Sequence, residues 1–450
     1  METTAILARR RTGLARAADT PILLYAGTSS PRNYAQNTWP FRASSHFLYA
    51  VGESVPGGWI IFDTDVATLF VDYPDRDDAL WHGISETPEA LGARLGLEVR
   101  PTSELEAAAF GIGAATMAPA RGADCARLSE VLQRTIRIGR TSLQDEALTA
   151  AMITARLVHD ELAVAQLRVA ADVAAEAFAA GRAHTRAEVS EAAVRGRMVA
   201  RVIERGMTTS FNPIVSVAGE VLHNEHSRNT MRDGDLLLVD FGAETPTGWA
   251  SDVTRTWPVS GSFSATQRDL YQLVLDAQLA AIEAVAPGVR YRDVHFTAAR
   301  VMTQGLVDLG ILRGDVDTMV EDGVHAIFFP HGIGHLIGLD VHDMEDLGDR
   351  ASYAPGRTRS KQFGTAYLRL DRDLEPGMAV TIEPGFYQVP AILSDSTLME
   401  LAGDRLDHAR LAAFADVRGI RIEDDVLVTE TGFEVLTASI PKATAAVESA

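Results

Sequence analysis

The sequence is poor in cysteine and in basic residues, and both shortages limit what the protein can be. Cys125 is the only cysteine, so no internal disulfide can form, which fits a reducing cytoplasm. The 41 lysines and arginines face 61 aspartates and glutamates, which gives a formal net charge of −20. Because such a surface repels phosphate backbones and anionic lipids, neither nucleic-acid nor membrane binding is expected.

A long hydrophobic run is also missing after the one local cluster of basic residues, Arg9 to Arg11. The apolar stretch that follows, residues 21–26, is too short and too distant for a signal peptide or a membrane span. No histidine neighbourhood can be read for Cys125, so we interpret it as a structural residue rather than a nucleophile.

What remains is an ordinary globular composition on a long chain. Hydrophobic residues make up 46 % and charged residues 23 % of the 450 positions, which excludes a disordered or fibrous protein and favours two domains. Aliphatic and aromatic runs predict three strands within residues 46–73, the first over 46–51, in a mixed α/β domain. A long Ala- and Leu-rich helix begins near Asp160, so we predict domains at residues 1–155 and 156–450.

The second domain alternates helices with strands. Thr185 and Glu188 have the spacing of a capping box and predict a helix that ends at Gly206. Ser264 and Gln267 predict the start of another helix in the same way. Four strand signals accompany these helices, at residues 235–242, 249–259, 378–387 and 419–429.

Two of these predicted strands share a sequence pattern. In each of the segments 234–242 and 377–385, a glycine starts the strand, a carboxylate lies six residues on, and a second glycine follows two residues later. Each strand is followed by another that bears a carboxylate. Chance alignment is the alternative, but the pattern predicts two related halves that bring their carboxylates to one centre. These carboxylates are Asp240 and Asp252, and Glu383 and Glu423.

Carboxylates on such apolar strands are costly unless they are paired or bind a metal. Asp240 and Asp252 lie on strands joined by a turn at 244–248, and a hairpin would bring facing side chains within ~5 Å. Four converging carboxylates would repel one another and could not all ionise. Two divalent ions would resolve this, with a carboxylate bridging ions ~3.5–4 Å apart and a water between them able to attack a carbonyl.

Three closely spaced histidines, His331, His335 and His342, are expected to supply the remaining ligand. Glycines between the first two favour a loop, so this is not a zinc site of the HExxH type. The other imidazoles could polarise a carbonyl or stabilise the oxyanion. An oxygen-rich set with one imidazole suits manganese, with cobalt, iron or zinc as alternatives.

Five separated motifs resemble, in order, those of one known family. They are the segments 231–235, 251–256, 331–343, 381–385 and 421–425. From about Asp160 to Pro441 the chain thus resembles the aminopeptidase P and prolidase branch of the "pita-bread" metallopeptidases. Residues 40–52 and 80–83 resemble the family's N-terminal domain more loosely. The resemblance implies an α/β (α+β) protein, with an N-terminal mixed α/β domain and a C-terminal pita-bread catalytic domain of two pseudo-twofold halves.

The same resemblance implies roles for individual residues. The implied ligands of two divalent metal ions are Asp240, Asp252, His335, Glu383 and Glu423, of which Asp252 and Glu423 bridge the ions. The implied contacts to the substrate and the developing oxyanion are His223, His331 and His342, and Arg421 would support the site.

The activity that the resemblance implies is hydrolysis of the bond between an N-terminal residue and a following proline, in peptides or dipeptides. Inserted residues around 344–369 resemble prolidases that cleave dipeptides, and Arg369 lies where these hold an arginine for the dipeptide's carboxylate. A guanidinium suits that role through bidentate geometry, although Arg369 as a plain loop cation is the alternative. Relatives are commonly dimers or tetramers, so a homo-oligomer is expected.

Other classes of protein stay open. A catalytically inactive pseudo-peptidase would share the fold and bind peptides or protein partners in the same cleft. Methionine aminopeptidases share the ligand set but lack the large N-terminal domain, and creatinase-type relatives have lost the ligands. Hydrolysis of phosphorus esters is a further alternative, because some prolidase relatives show it as a side activity.

Overall fold

The computed structural model describes residues 3–73, 76–84, 86–224 and 226–449. Within them the chain divides into two compact units. One comprises the chain up to Leu157 together with Pro246–Gly248 and Asp346–Gly348, and the other comprises the rest. Throughout the part described, every helix lacks the length or the apolar character needed to cross a bilayer.

The first unit is built on a four-stranded sheet whose strands follow the order of the chain. They are β1 (Ile22–Tyr25), β2 (Trp59–Phe62), β3 (Ala67–Val71) and β4 (Glu98–Pro101). The first three are antiparallel neighbours, and β4 runs parallel to β3. The helices of this unit are α1 (Thr3–Ala18), α2 (Ser45–Val51), α3 (Arg76–His82), α4 (Pro88–Leu95), α5 (Leu105–Ala109), α6 (Gly122–Leu132) and α7 (Glu146–Leu157).

Residues 46–51 lie in helix α2, so the strand predicted there is wrong. Residues 46–51 are buried throughout, and a short run buried on all sides has no periodicity that separates a strand from a helix. Gly52, with a φ of 82°, takes the left-handed conformation and ends the helix by donating its N–H to the Leu48 carbonyl. The other two strands predicted in this region are confirmed by β2 and β3.

Cys125 lies in the hydrophobic core of the first unit, in one cluster with Leu23, Trp59 and Phe70. Its thiol donates to the Pro119 carbonyl at 3.3 Å, and burial raises its pKa. A buried and protonated thiol is a poor nucleophile, which agrees with a structural role.

The helices of the second unit begin at capping residues, not all of them the predicted ones. Helix α8 (Glu161–His184) starts after Asp160, which accepts a hydrogen bond from the backbone of the first turn. The predicted box of Thr185 and Glu188 is wrong, because Glu188 has a φ of 66° and cannot join a helix. Ser190 caps the following helix instead.

The predicted capping box of Ser264 and Gln267 is confirmed, with both reciprocal hydrogen bonds present. It opens a helix of 19 residues. The helices after α8 are α9 (Glu191–Glu204), α10 (Ala265–Glu283), α11 (Tyr291–Asp308), α12 (Val316–Asp322), α13 (Asp349–Ser352), α14 (Pro390–Leu393), α15 (Ser396–Ala402), α16 (His408–Ala412) and α17 (Thr444–Ser449).

Short strands form the centre of the second unit. They are β5 (Thr208–Thr209), β6 (Ile214–Ser216), β7 (Leu236–Phe241), β8 (Ala243–Glu244), β9 (Val253–Pro258), β10 (Ala379–Ile382), β11 (Gly385–Tyr387), β12 (Gly419–Arg421), β13 (Asp424–Val428) and β14 (Phe433–Val435). They form two three-stranded sheets, in the orders β6-β7-β9 and β10-β13-β14, and the pairs β5-β8 and β11-β12.

The predicted strands 378–387 and 419–429 are each interrupted in the middle. Strand β10 gives way to β11 at Glu383, and β12 gives way to β13 at Glu423. Pairing changes at the same place, because β10 pairs with β13 whereas β11 pairs with β12. An interruption of this kind redirects the side chains that lie in it, so both glutamates are freed from the alternation of a regular strand.

Candidate active site

Two carboxylates converge at one end of the β7·β9 ladder. Asp240 pairs with Thr254 across the ladder, and Asp252 directly precedes β9. The four aliphatic residues before Asp240 in β7 are all buried. Asp240 therefore lies near the end of an apolar strand, beside the first residues of the antiparallel strand β9.

The second strand pair repeats this arrangement. Ile382, the last residue of β10, pairs with Asp424, the first residue of β13. Glu383 directly follows β10 and Glu423 directly precedes β13, so the two glutamates lie side by side. The backbone N–H of Glu423 donates to the Thr254 carbonyl at 3.0 Å, which joins the second pair to the first. The two halves thereby bring four carboxylates to one place.

His335 is oriented by the loop in which it lies. Its backbone N–H donates to Thr381 Oγ1 at 3.2 Å, and its carbonyl accepts from the Thr381 N–H at 3.0 Å. The ring Nδ1 lies 3.0 Å from the Leu336 carbonyl and donates to it. This assigns the free lone pair to Nε2, which lies 3.4 Å from Asp252 Oδ2 and 3.6 Å from Glu383 Oε1.

The structure brings the five residues predicted as metal ligands together. Ligand atoms of Asp240, Asp252 and Glu423 all lie within 4.8 Å of one another, and so do those of His335, Glu383 and Glu423. Glu423 belongs to both groups. Each of the two overlapping groups could hold one divalent ion.

The electrostatics of these residues fit divalent cations. Burial, followed by repulsion from the neighbouring carboxylates, raises the pKa of Asp252 and of Glu423 well above the usual range. Burial also raises the pKa of Glu383 to about 7, against the opposing charge of Arg421. Within the part of the chain that is described, Oδ1 of Asp240 and of Asp252 is buried without a hydrogen-bond partner. Cations would supply both these missing partners and the charge that allows the carboxylates to ionise.

Arg421 is buried and uses all three of its donor groups to support this centre. Its Nη2 donates to Asp240 Oδ2 at 2.6 Å, its Nε to Thr254 Oγ1 at 2.9 Å, and its Nη1 to the Tyr387 hydroxyl at 2.9 Å. Thr254 Oγ1 in turn donates to Glu423 Oε2 at 2.6 Å. One oxygen of Asp240 is therefore held by Arg421, while the other has no partner among the described residues.

His331 lies on the other side of Tyr387 and is neutral. The Tyr387 hydroxyl accepts from Arg421, so its own proton points to His331 Nε2, 2.9 Å away. His331 Nδ1 lies 2.8 Å from the Gly332 carbonyl and donates to it. Burial, followed by the charge of Arg421, lowers the pKa of His331 to about 3. Both ring nitrogens are thus engaged, and the imidazole is uncharged across the working range of pH.

His342 stands beside His335, with ring centroids 4.2 Å apart. Its Nδ1 lies 3.1 Å from Arg369 Nη1 and 3.4 Å from Glu345 Oε2. The guanidinium can only donate and the ionised carboxylate can only accept, so the bond that Nδ1 makes depends on whether it carries a proton. His342 also forms a group of close ligand atoms with Asp252 and His335, so it lies beside the proposed metal ligands.

His223 follows Leu222, which packs against the apolar cluster that contains Tyr387. The His223 side chain is exposed by surface area, yet the protein atoms around the ring lower its pKa, and the cations Arg421 and Arg369 add to this effect. These charge interactions put His223 in the same region as the other predicted site residues.

Three residues of the site were not singled out from the sequence. Tyr387 could have been found, because it follows Glu383 by four residues on an apolar strand and a buried tyrosine hydroxyl needs a partner. Thr254 and Glu345 carry no comparable signal. Their roles come from hydrogen bonds to residues distant in the chain or across a loop.

Two family models match the chain. The model described as metallopeptidase family M24 matches residues 165–430, and the model described as aminopeptidase P, N-terminal domain, matches residues 7–116. The chain belongs to metallopeptidase family M24 and carries this N-terminal domain. It is a metallo-exopeptidase, and its family implies divalent metal ions.

Relatives and solved structures agree with this assignment. The probable Xaa-Pro aminopeptidase of Aspergillus fumigatus is 33 % identical over 416 residues, which cover 90 % of this chain and 86 % of the relative. That of Verticillium alfalfae is 32 % identical over 408 residues, covering 89 % and 86 %.

Aminopeptidase PepP of Pseudomonas aeruginosa superposes with a TM-score of 0.79, and aminopeptidase P of E. coli with the inhibitor Pro-Leu superposes with a TM-score of 0.80. Both are 28 % identical, and each alignment covers 100 % of this chain and 98 % of the other. The predicted family is confirmed, as is the predicted fold class of a mixed α/β domain followed by a pita-bread domain.

Proposed function

We propose that this enzyme hydrolyses the peptide bond between an N-terminal residue and a following proline. One observation carries the proposal: the five converging donor side chains lie in a chain that is 33 % identical to a probable Xaa-Pro aminopeptidase. The donor set supports hydrolysis, and the relatives support the choice of substrate.

We propose that the active centre would hold two divalent ions through Asp240, Asp252, His335, Glu383 and Glu423. Four carboxylates and one imidazole form a hard, oxygen-rich set, which favours manganese, with cobalt, iron and zinc as alternatives. When bound, such ions supply Lewis acidity, which polarises a carbonyl group and favours deprotonation of a water nucleophile.

The surrounding residues hold the ligands and the substrate in this scheme. Arg421 orients Asp240, and Thr254 orients Glu423, so each carboxylate keeps one oxygen directed by the protein. The His342 ring contacts Arg369 and Glu345 through Nδ1, so a proton on its Nε2 would make it a donor for the oxyanion that develops on the scissile carbonyl. His331 and His223 line the same region, and the neutral His331 orients its neighbours without adding charge.

Substrate length is the finer part of the proposal. We propose that Arg369 binds the free carboxylate of a dipeptide and so favours dipeptides over longer peptides. Its Nη1 is held by Glu345, while its Nε and Nη2 have no hydrogen-bond partner within the described residues. These two nitrogens form the edge of a guanidinium that binds a carboxylate in bidentate fashion.

Purified protein that has been stripped of metal and reloaded with manganese tests the proposal. Alanine release from Ala-Pro and Ala-Pro-Ala is expected, and Ala-Ala-Ala serves as the control for the requirement for proline. A metal-loaded protein that binds these peptides without cleaving them would be a pseudo-peptidase, and one that cleaves Ala-Ala-Ala equally well would refute the proline requirement. A phosphotriester assayed in parallel separates the esterase alternative.

Three further features complete the proposal. We propose that the protein is a cytoplasmic homo-oligomer, a dimer or a tetramer, with domains at residues 1–155 and 156–450. The single buried thiol and the net charge of −20 support a reducing, soluble environment. Size-exclusion chromatography with light scattering tests the oligomeric state.

A further inference from the structure

Arg369, which we propose as the anchor for the substrate's carboxylate, is already bound to a carboxylate of the protein itself. Both oxygens of Glu345 accept hydrogen bonds from Arg369 Nη1, at 2.6 and 2.7 Å. The same nitrogen lies 3.1 Å from His342 Nδ1. The side chains of Glu345 and Arg369 are 35 % and 34 % exposed, so a substrate can reach both.

The opposite charges of Glu345 and Arg369 cancel at every pH at which the enzyme is expected to work. Burial alone would raise the pKa of Glu345, but His342 and Arg369 outweigh it and lower the pKa to about 2. Glu345 is therefore ionised wherever the enzyme is expected to work. An arginine keeps its proton at any such pH, so Arg369 and Glu345 together carry no net charge.

We propose that Glu345 is a specificity-determining residue that restrains the binding of negatively charged substrate ends by Arg369. A dipeptide's carboxylate would bind to the Arg369–Glu345 ion pair instead of to a free cation. The negative charge of Glu345 would then lie close to the carboxylate and repel it. Peptides whose chain continues as a neutral amide escape this repulsion. The inference rests on the proposed cleavage of Xaa-Pro bonds and on Arg369 as the anchor.

The arrangement restrains binding without blocking it. Glu345 uses only Nη1, and the edge formed by Nε and Nη2 stays available to an incoming carboxylate. Two anions that share one cation still repel each other across a few ångströms, and partial exposure to solvent weakens that repulsion. Removing the negative charge of Glu345 is therefore expected to favour a charged substrate over a matched neutral one by about tenfold.

The test uses two substrates of the same size that differ only in charge, Ala-Pro and Ala-Pro amide. kcat/KM is measured for both with the manganese-loaded wild type, Glu345→Gln, Arg369→Ala and the double variant. Glu345→Gln keeps the size of the side chain and should raise the ratio of Ala-Pro to Ala-Pro amide by about tenfold. Any effect that Glu345 exerts through His342 changes both rates alike and cancels in the ratio.

The double variant shows whether the effect passes through Arg369. Its ratio should equal that of Arg369→Ala, because Glu345 has nothing to restrain once the guanidinium is gone. Glu434→Gln is the matched control, since it removes one negative charge from an exposed ion pair with Arg168 and should leave the ratio at the wild-type value. Glu345→Ala removes the same charge by another route and should change the ratio in the same direction.

Each outcome has a separate meaning. If Arg369→Ala lowers the ratio but Glu345→Gln and Glu345→Ala leave it unchanged, the inference is wrong and the proposed function stands. An increase that persists in the double variant also overturns the inference, since Arg369 is then not involved. A wild type that cleaves neither substrate, nor any other Xaa-Pro peptide, overturns the proposed function and this inference together.

Discussion

Replacing Thr254 by valine should weaken the metal centre without removing any proposed metal ligand. The Thr254 hydroxyl donates to Glu423 Oε2 at 2.6 Å and accepts from Arg421 Nε at 2.9 Å. Valine has a similar shape but lacks the hydroxyl, so the packing of β9 is kept while both hydrogen bonds are lost. Glu423 is then free to turn away from the other ligands.

The expected size of the effect follows from these two hydrogen bonds. A hydrogen bond to a charged group contributes ~1.5–3 kcal/mol net, and a buried donor left without a partner costs ~1–3 kcal/mol. Both costs arise here, because Glu423 loses a donor and Arg421 loses an acceptor. We therefore expect the free energy of unfolding to fall by about 3 kcal/mol and metal affinity to fall by about 10- to 100-fold.

Chelator competition measures the metal affinity, thermal unfolding measures the stability, and kcat/KM on Ala-Pro measures the activity. Thr254→Ser keeps the hydroxyl and should stay close to the wild type in metal affinity. Thr256→Val is a second control, because within the described residues Thr256 Oγ1 bonds the backbone of Arg421 and not the Glu423 carboxylate. If Thr254→Val binds metal as tightly as the wild type, or if Thr254→Ser is impaired equally, the hydroxyl does not hold Glu423.

Three further predictions address the proposed roles directly. Asp252→Asn or Glu423→Gln should abolish cleavage of Ala-Pro, because each removes a charge from the proposed metal ligands; full activity at unchanged metal content would show that the ligand set is wrong. His331→Ala and His342→Ala should lower kcat by ~100-fold with metal still bound, whereas metal loss from the His342 variant would make that residue a ligand. Arg369→Ala should erase most of a preference for Ala-Pro over Ala-Pro-Ala of about ten- to a hundredfold in kcat/KM, and equal slowing on both substrates would exclude it as the anchor.

The positions of the metal-ligand candidates could be read from the sequence because chemistry restricts them. A carboxylate at the end of an apolar strand has few explanations, and Asp240 and Glu383 each stand at such a place. Their partners lie just before the antiparallel strands that pair with them, Asp252 before β9 and Glu423 before β13. The structure brings the four carboxylates together because antiparallel neighbours place their ends side by side, and a loop adds His335.

Features decided by tertiary packing could not be read in this way. Residues 46–51 form a helix because a fully buried apolar run is compatible with either structure until its neighbours are known. The spacing of Thr185 and Glu188 satisfied a capping motif, but Glu188 adopts a positive φ and the chain begins its helix at Ser190. In the sequence, Glu345 is one acidic residue among many. Only its contact with Arg369, seen in the structure, gives it a specific role.

The seam at which the β7·β9 strand pair meets the β10·β13 strand pair has a consequence for the amount of this protein in a cell. Each pair supplies two carboxylates, and one backbone hydrogen bond from Glu423 to Thr254 spans the seam beside them. Cations bound there would hold the two halves together, and a ligand present at a thousand times its dissociation constant stabilises the folded state by ~4 kcal/mol. A cell short of the metal would thus hold protein that is not only inactive but also more often unfolded. Proteases act on unfolded chains, so the amount of this enzyme would follow the supply of its metal.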